Sequence, residues 1–167
     1  MISSNSFYCE RDYVQKGNHC YKSESQLVAS SDLKNVFYVE NGQVLTYKPG
    51  IDKNQVWSPP PSANQYLGII SSSPQIIHQI QVQGSREGWV KEFIIQFRNN
   101  REGPLICWNS CLRVKGNENG FEVRKIELDY PIIADELRIY PLSWENSLRL
   151  RLDCQIDWTP QYHHIIK

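Results

Sequence analysis

Short segments in which apolar and polar residues alternate constrain this chain more than any other feature of its sequence. Residues 79–83 (QIQVQ), 136–140 (ELRIY) and 148–152 (LRLRL) each place apolar side chains at every second position. A period of two puts those side chains on one face of a strand, which is typical of antiparallel sheets with the other face in water. No window repeats apolar residues at helical spacing over three turns. The sequence therefore predicts an all-β protein.

Glycine and proline divide the chain into pieces of strand length. Pro49-Gly50, Gly84, Gly103-Pro104 and Pro141 are examples of this punctuation. Many short strands separated by turns predict a β-sandwich, and we expect about eight main antiparallel strands in a jelly roll with little helix. The long loops at 32–56 and 99–120 are where binding residues usually lie on such a scaffold.

Charge and hydropathy exclude several classes of protein. The chain has 18 basic and 18 acidic residues, so its formal net charge is 0 and it carries no bulk field to attract nucleic acid. No apolar run approaches the ~18 residues that a membrane span needs. Met1–Ser6 lacks the basic and apolar regions of a signal peptide, so we expect a cytosolic protein or a mature or trimmed chain.

The sequence shows no catalytic or metal-binding signature. It contains no G-x-S-x-G, H-E-x-x-H or P-loop motif, and its four histidines are scattered. Five cysteines leave at least one thiol unpaired within the chain, and no C-x-x-C pair points to zinc. We therefore expect no enzyme activity and no cofactor, with a structural calcium ion left open. Cys107 and Cys111 can form a bridge only if residues 108–110 turn, because an extended strand separates their Cα atoms by about 13 Å.

Seven motifs follow one another along the chain: residues 25–31 (SQLVASS), 57–59 (WSP), 65–69 (QYLGI), 76–84 (IIHQIQVQG), 89–93 (WVKEF), 135–141 (DELRIYP) and, after Trp144, 148–154 (LRLRLDC). In this order and spacing they resemble the coagulation factor V/VIII C-type, or discoidin, domain family. The resemblance implies a discoidin-like domain over residues 9–154, with an N-terminal extension over 1–8 and a C-terminal tail over 155–167.

The family resemblance also implies how the ends of the domain are joined. The first and last cysteines of the family are bonded to each other; Cys154 fits the last, and Cys9 fits the first better than Cys20 does. We therefore expect a Cys9–Cys154 disulfide. The closing segment departs from the family pattern, because it lacks the usual glycine and glutamate and is about one residue short.

Discoidin-type domains are binding modules for glycans, anionic phospholipids, collagen or proteins, and they bind through loops at one end of the sandwich. The resemblance implies a ligand end built from three loops. The residues expected to converge there are Lys34, Val36, Phe37, Tyr38, Lys48, Arg86 and Glu87.

Two interpretations stay open at each part of this ligand end. Val36, Phe37 and Tyr38 either form an apolar spike that enters a membrane beside Lys34, or belong to a strand that faces the core. Arg86 and Glu87 either hydrogen-bond sugar hydroxyls next to an aromatic ring or pair with each other at the surface.

The function expected from the sequence is an extracellular or cell-surface adhesion module. Its predicted partner is a cell-surface carbohydrate or protein, because the loop of Arg86 has no apolar tip. The alternative is binding to an anionic phospholipid membrane, or to a protein within a larger secreted complex. Framework residues are expected to serve packing and internal pairing; these are Trp57, Trp89, Trp108, Trp144, Arg138 and Arg149.

Overall fold

A computed structural model of the chain describes residues 13–16, 19–22, 27–62 and 64–157. The described strands are β1 (Tyr13–Lys16), β2 (His19–Lys22), β3 (Leu27–Ala29), β4 (Val36–Glu40), β5 (Gln43–Val44), β6 (Leu67–Gln83), β7 (Gly88–Arg98), β8 (Ile106–Cys107), β9 (Val114–Lys115), β10 (Arg124–Asn146) and β11 (Arg151–Asp157). Two three-residue 3-10 helices, Ser30–Asp32 and Trp108–Ser110, are also described. Within these ranges, no helix has the length and apolar character needed to cross a membrane.

Antiparallel pairing joins the strands into two sheets. β1 and β2 form a hairpin, and the other nine form a sheet with the central order β3-β11-β6-β10-β7-β8. β4 pairs with β5 and β6, and β9 pairs with β7. This confirms the predicted all-β sandwich. Two of the alternating segments lie inside β6 and β10, and the third runs into β11 after an isolated bridge between Leu150 and Trp57.

The two longest strands, β6 and β10, form the spine of the sandwich. Ala134 pairs with Gln75 and Glu136 pairs with Ile70, so four residues of β6 (71–74) oppose the single residue Asp135. Extra residues in one strand of a pair increase its bend and twist. The irregularity therefore lets this long sheet curl around its own core.

Alternate residues of the curled sheet fill one main core. Ile80, Val82 and Leu152 are fully buried, and Trp57 is the largest residue among the buried side chains. Val36 and Tyr38 belong to the same cluster, with exposures of 1% and 0%. The strand interpretation is therefore correct for these two residues, and the prediction of an apolar spike there is wrong. Their burial follows from β4, where every second side chain faces inward.

The structure confirms the short bridge between Cys107 and Cys111, whose Cα atoms are 5.0 Å apart. Residues 109–111 make the required turn with φ angles of 51°, 55° and 61°. These left-handed conformations bring the two ends of a five-residue segment together, which an extended strand cannot do.

The prediction of a Cys9–Cys154 bond is wrong, because Cys154 is a free thiol with 1% exposure. Cys9 lies outside the described residues. Cys154 pairs with Ile80 in the β11–β6 ladder, and its side chain faces the core. Cys154 has the same strand parity as the buried Leu150 and Leu152, so its side chain points into the core with theirs. β11 also continues to Asp157, beyond the domain end predicted at residue 154.

Candidate functional site

Three loops meet beyond the end of β6 and form a concave site that we call the pole pocket. They are the segment near residue 52, the β6–β7 hairpin at 84–87, and the segment before β10. The pocket has a volume of about 420 Å³ and is lined by Asp52, Lys53, Gln83, Ser85, Arg86, Glu87, Gly120, Phe121 and Arg151. Its size falls in the range of small-molecule sites.

Gln83, the last residue of β6, ties two of these loops to the sheet. Its side chain is buried, its Oε1 accepts from the Asp52 backbone N–H at 2.9 Å, and its Nε2 donates to Asp52 Oδ1 at 3.0 Å. The same Nε2 donates to the Phe121 carbonyl at 3.0 Å. Asp52 and Phe121 are thus held by one rigid strand end, which reduces the ordering cost of binding.

The buried carboxylate of Asp153, on β11, holds the loop around residue 51 by hydrogen bonds. Asp153 accepts from the Ser30 hydroxyl at 2.9 Å, from the Ser31 backbone N–H at 2.9 Å and from the Ser31 hydroxyl at 3.1 Å. It also accepts from the Ile51 backbone N–H at 2.9 Å. The last two serines of the SQLVASS motif therefore form a clasp between β11 and the base of the pole pocket.

Close backbone packing fixes the third loop. A Cβ on Gly120 would lie 2.0 Å from the Ser85 carbonyl oxygen, so glycine is required for the loop to approach the hairpin. Asn119 Oδ1 accepts from the backbone N–H groups of Phe121 and Glu122, both at 2.8 Å, and closes a side-chain turn. The exposed Phe121 ring, at 73% exposure, is therefore carried by a well-braced backbone.

Arg86 is the main uncommitted charge of the pole pocket. It is exposed and makes no hydrogen bond or ion pair with any described residue. Glu87 pairs instead with Arg149 at 3.6 Å, so the interpretation of Arg86 and Glu87 as a mutual ion pair is wrong. Arg151 is committed internally, because it donates to the carbonyls of Lys53 at 2.9 Å and of Gly84. The pocket thus offers a free guanidinium, the Asp52 carboxylate and an exposed aromatic ring.

The predicted ligand residues divide between two places. Arg86 and Glu87 lie in the pole pocket, whereas Phe37, Tyr38 and Lys48 line a separate hairpin groove of about 320 Å³ together with Val44, Leu45, Thr46 and Tyr47. β4 pairs with the start of β6, with Phe37 opposite Ile70, while Arg86 follows the other end of that strand. Lys34 is exposed in the turn before β4. The structure therefore does not bring the seven residues to one pocket.

The hairpin groove is partly apolar. Phe37 is 48% exposed and Val44 56% exposed. The Lys48 ammonium donates to the Leu33 carbonyl, so it is engaged within the chain. Burial, with a contribution from the Glu40 carboxylate, raises the pKa of Tyr47 above its ordinary value.

A further concavity, the flank groove, lies on the other side of the 117–121 loop. Its volume is about 520 Å³, and its walls are Trp89, Lys91, Glu92, Arg113, Lys115, Asn117, Glu118 and Glu145. A hydrogen bond from Lys115 lowers the pKa of Glu118 below its ordinary value. In the described part of the chain, no cluster of three or more His, Cys, Asp or Glu side chains is arranged to hold a metal ion.

Sequence reasoning expected a ligand-end loop around Lys48 that extends over Asp52, but it did not single out Asp52. It missed Gln83, Phe121 and Arg151. Phe121 could have been found from the sequence, because an apolar residue directly after Asn119-Gly120 belongs to a turn and not to the interior of a strand. Nothing local marks Gln83, whose role depends on loops 31 and 38 residues away along the chain. The framework expectation holds for Trp57, Trp108 and Trp144, which pack with the core.

Comparison with known proteins gives a consistent result. A family model described as the F5/8 type C domain matches residues 26–153. Coagulation factor VIII of Sus scrofa is 29% identical over 139 residues, covering 78% of this chain and 6% of that protein. Neuropilin-1 of Gallus gallus is 25% identical over 150 residues, covering 80% of this chain and 16% of that protein. The chain therefore spans a small part of these curated relatives.

Solved structures share the fold at low identity. Discoidin II of Dictyostelium discoideum has a TM-score of 0.57 and 18% identity, covering 78% of this chain and 55% of that one. A family 32 carbohydrate-binding module from Clostridium perfringens NanJ, solved with galactose, has a TM-score of 0.60 and 16% identity over 77% of this chain and 98% of that one. The C. perfringens module CpGH89CBM32-5, solved with GalNAc-β-1,3-galactose, has a TM-score of 0.58 and 9% identity over 76% of this chain and 99% of that one.

Proposed function

Since this chain belongs to the F5/8 type C domain family, as its sequence motifs predicted, we propose that it is a recognition module that binds a neutral cell-surface carbohydrate at the pole pocket. The family consists of ligand-binding modules rather than catalytic ones. The proposal adds to that family property a class of ligand and a site.

One observation carries the proposal: the free guanidinium of Arg86 and the exposed ring of Phe121 line the same pocket. An aromatic face stacks on the C–H face of a sugar ring, and a guanidinium donates to ring or hydroxyl oxygens. The Asp52 carboxylate, oriented by Gln83, accepts from sugar hydroxyls. The lining carries three cations, Lys53, Arg86 and Arg151, against the two carboxylates of Asp52 and Glu87. This excess of one positive charge is small and does not require an anionic ligand.

The fold neighbours support the choice of ligand class. Two of them were solved with galactose or with GalNAc-β-1,3-galactose, so the same scaffold binds neutral sugars in other proteins. The Cys107–Cys111 bridge supports an extracellular or cell-surface location, because disulfides persist in oxidising compartments.

A glycan array followed by titration tests the proposal. We expect the protein to bind a set of neutral glycans, and Arg86→Ala and Phe121→Ala to weaken that binding about tenfold to a hundredfold. Arg101→Ala is the matched control for the charge, because Arg101 is exposed and lies outside the pole pocket. Unchanged affinity in both pole variants, or binding only to anionic glycans, contradicts the proposal.

The hairpin groove favours a second candidate, binding to an anionic phospholipid surface. Its exposed Phe37 and Val44 present apolar area, and Lys34, which is exposed three residues before Phe37 along the chain, supplies a positive charge. A membrane-inserting loop combines the same two features. Co-sedimentation with phosphatidylserine vesicles tests it. Loss of vesicle binding in Phe37→Ala, with sugar binding intact, supports this candidate. Absence of vesicle binding by the parent protein contradicts it.

A further inference from the structure

The flank groove combines an aromatic wall with a rim of balanced charge. Trp89 is half-buried and lines the groove, whereas the other tryptophans with described packing lie against the core. Around it, Lys91 pairs with Glu145 at 3.7 Å, and Lys115 with Glu118 at 2.7 Å. A third pair, Arg113 and Glu92 at 3.5 Å, completes the rim. Each cation therefore has its own carboxylate, and the groove has no excess charge to recruit an ionic ligand.

Asn117 lines this groove and carries a buried acceptor. It is 3% exposed, and its Nδ2 donates to the carbonyls of Val82 at 3.1 Å and Glu122 at 3.2 Å. Its Oδ1 is buried and has no hydrogen-bond partner among the residues that the structure describes. A buried acceptor without a donor is unfavourable, so this oxygen is suited to a donor brought by a ligand. Because both amide hydrogens are engaged, Asn117 cannot rotate to satisfy it internally.

The ligand that fits these features is neutral and rich in hydroxyl groups. A sugar ring offers a C–H face to Trp89 and hydroxyl donors to Asn117 Oδ1. The rim carboxylates and ammonium groups accept and donate further hydrogen bonds without a net charge requirement. An apolar peptide would leave Asn117 Oδ1 without a donor.

The flank groove and the pole pocket share one wall. Asn117 and Glu118 line the groove, while Gly120 and Phe121 line the pocket. Only Asn119 separates Glu118 from Gly120, so their Cα atoms are at most about 7.6 Å apart. On the other side, the hairpin contributes Arg86 and Glu87 to the pocket, and Trp89 follows directly on β7.

We infer that the flank groove is a second saccharide subsite, which binds the inner residue of an oligosaccharide whose terminal residue lies in the pole pocket. This inference rests on the proposed function. With this subsite the protein recognises at least a disaccharide, and Trp89 and Asn117 determine its preference for extended over single sugars.

Calorimetric titration with N-acetylgalactosamine and with GalNAc-β-1,3-galactose tests the inference. We expect the parent protein to bind the disaccharide about tenfold more tightly than the monosaccharide, and Trp89→Leu to abolish this difference while its Kd for the monosaccharide stays unchanged. Tyr130→Leu is the control for removal of an aromatic ring, because Tyr130 is 70% exposed and lines neither site. It should keep the tenfold preference.

A second measurement uses the unmodified chain, so it does not depend on the folding of a variant. In a spectrum of the tryptophan indole N–H groups, the Trp89 signal should shift with the disaccharide and not with N-acetylgalactosamine. Equal affinity for both sugars, with an indole N–H signal of Trp89 that does not shift, overturns the inference and leaves the proposed function standing. Binding of neither sugar contradicts the proposed function for these ligands and overturns the inference with it.

Discussion

Replacement of Asp153 by asparagine is the sharpest test of how this fold holds its ligand end. One carboxylate oxygen accepts from the Ser30 hydroxyl and the Ser31 N–H, and the other accepts from the Ser31 hydroxyl and the Ile51 N–H. Asparagine keeps the first acceptor and turns the second into an amide donor. Because the Ser31 hydroxyl can rotate to accept, the Ile51 N–H is the group left facing another donor.

The magnitude follows from those contacts. A hydrogen bond to a charged group contributes roughly 1.5–3 kcal/mol, and a buried unsatisfied donor costs about 1–3 kcal/mol. We therefore expect Asp153→Asn to lower the free energy of unfolding by about 3 kcal/mol. In a domain of this size, that corresponds to a fall in Tm of about 6–12 °C.

Urea unfolding followed by tryptophan fluorescence measures the change, with the m-value checked for constancy. Asp129→Asn is the matched control, because Asp129 is exposed and none of the described hydrogen bonds or ion pairs involves it; it should change stability by less than about 0.5 kcal/mol. Hydrogen exchange should show the Ile51 amide opening faster in Asp153→Asn than in the control. A loss below about 1 kcal/mol, with Ile51 exchange unchanged, would refute the clasp.

Three other predictions concern stability and reactivity. Burial, together with the Asp153 carboxylate, raises the pKa of the Cys154 thiol, so the folded state keeps a proton that the unfolded state releases. Stability should therefore fall as pH rises past the ordinary thiol pKa of about 8.5. Peptide mapping after iodoacetamide treatment at neutral pH should find Cys154 modified only in urea. Modification of Cys154 in the folded protein contradicts this prediction. Replacing both Cys107 and Cys111 by serine should cost about 2 kcal/mol in urea unfolding, since the bridge closes a five-residue loop, and an unchanged midpoint counts against it. Glu136→Gln should cost about 3–5 kcal/mol, because Glu136 is 4% exposed and holds two arginine side chains at 2.6–2.7 Å; exposed Glu102→Gln serves as its control, and equal midpoints for the two variants contradict the prediction.

Framework arginines show how far a motif predicts a role. Arg138 was expected to satisfy acidic side chains, and it donates to Glu136 Oε2 at 2.6 Å and to the Tyr140 hydroxyl at 2.9 Å. It also lies over the Tyr66 ring, 4.3 Å from its centroid. Arg138 and its neighbours on the same strand are two residues apart, so the strand period alone places them together. The partner across the sheet, Tyr66, could not be read from that period.

The candidate site was only half predictable for the same reason. Arg86 was correctly predicted to follow the end of a strand, because residues 79–84 indicate both the strand and the turn after it. Its partners in the pocket come from segments near residues 52 and 121, and Gln83 and the close approach of Gly120 hold them there. Those contacts depend on long-range pairing, which no local pattern encodes.

Alternation along the chain by itself determined the strands, because the two faces of a strand are a local property with a fixed period. The turn residues likewise determined where strands end. The tertiary structure decided which face each strand buries and which neighbours it meets. Cys154 points inward because its position in β11 falls on the core side, and Val36 and Tyr38 are buried because β4 adds to the start of β6. A shift of one residue in register reverses every side chain, so only the assembled sheet distinguishes a ligand residue from a core residue.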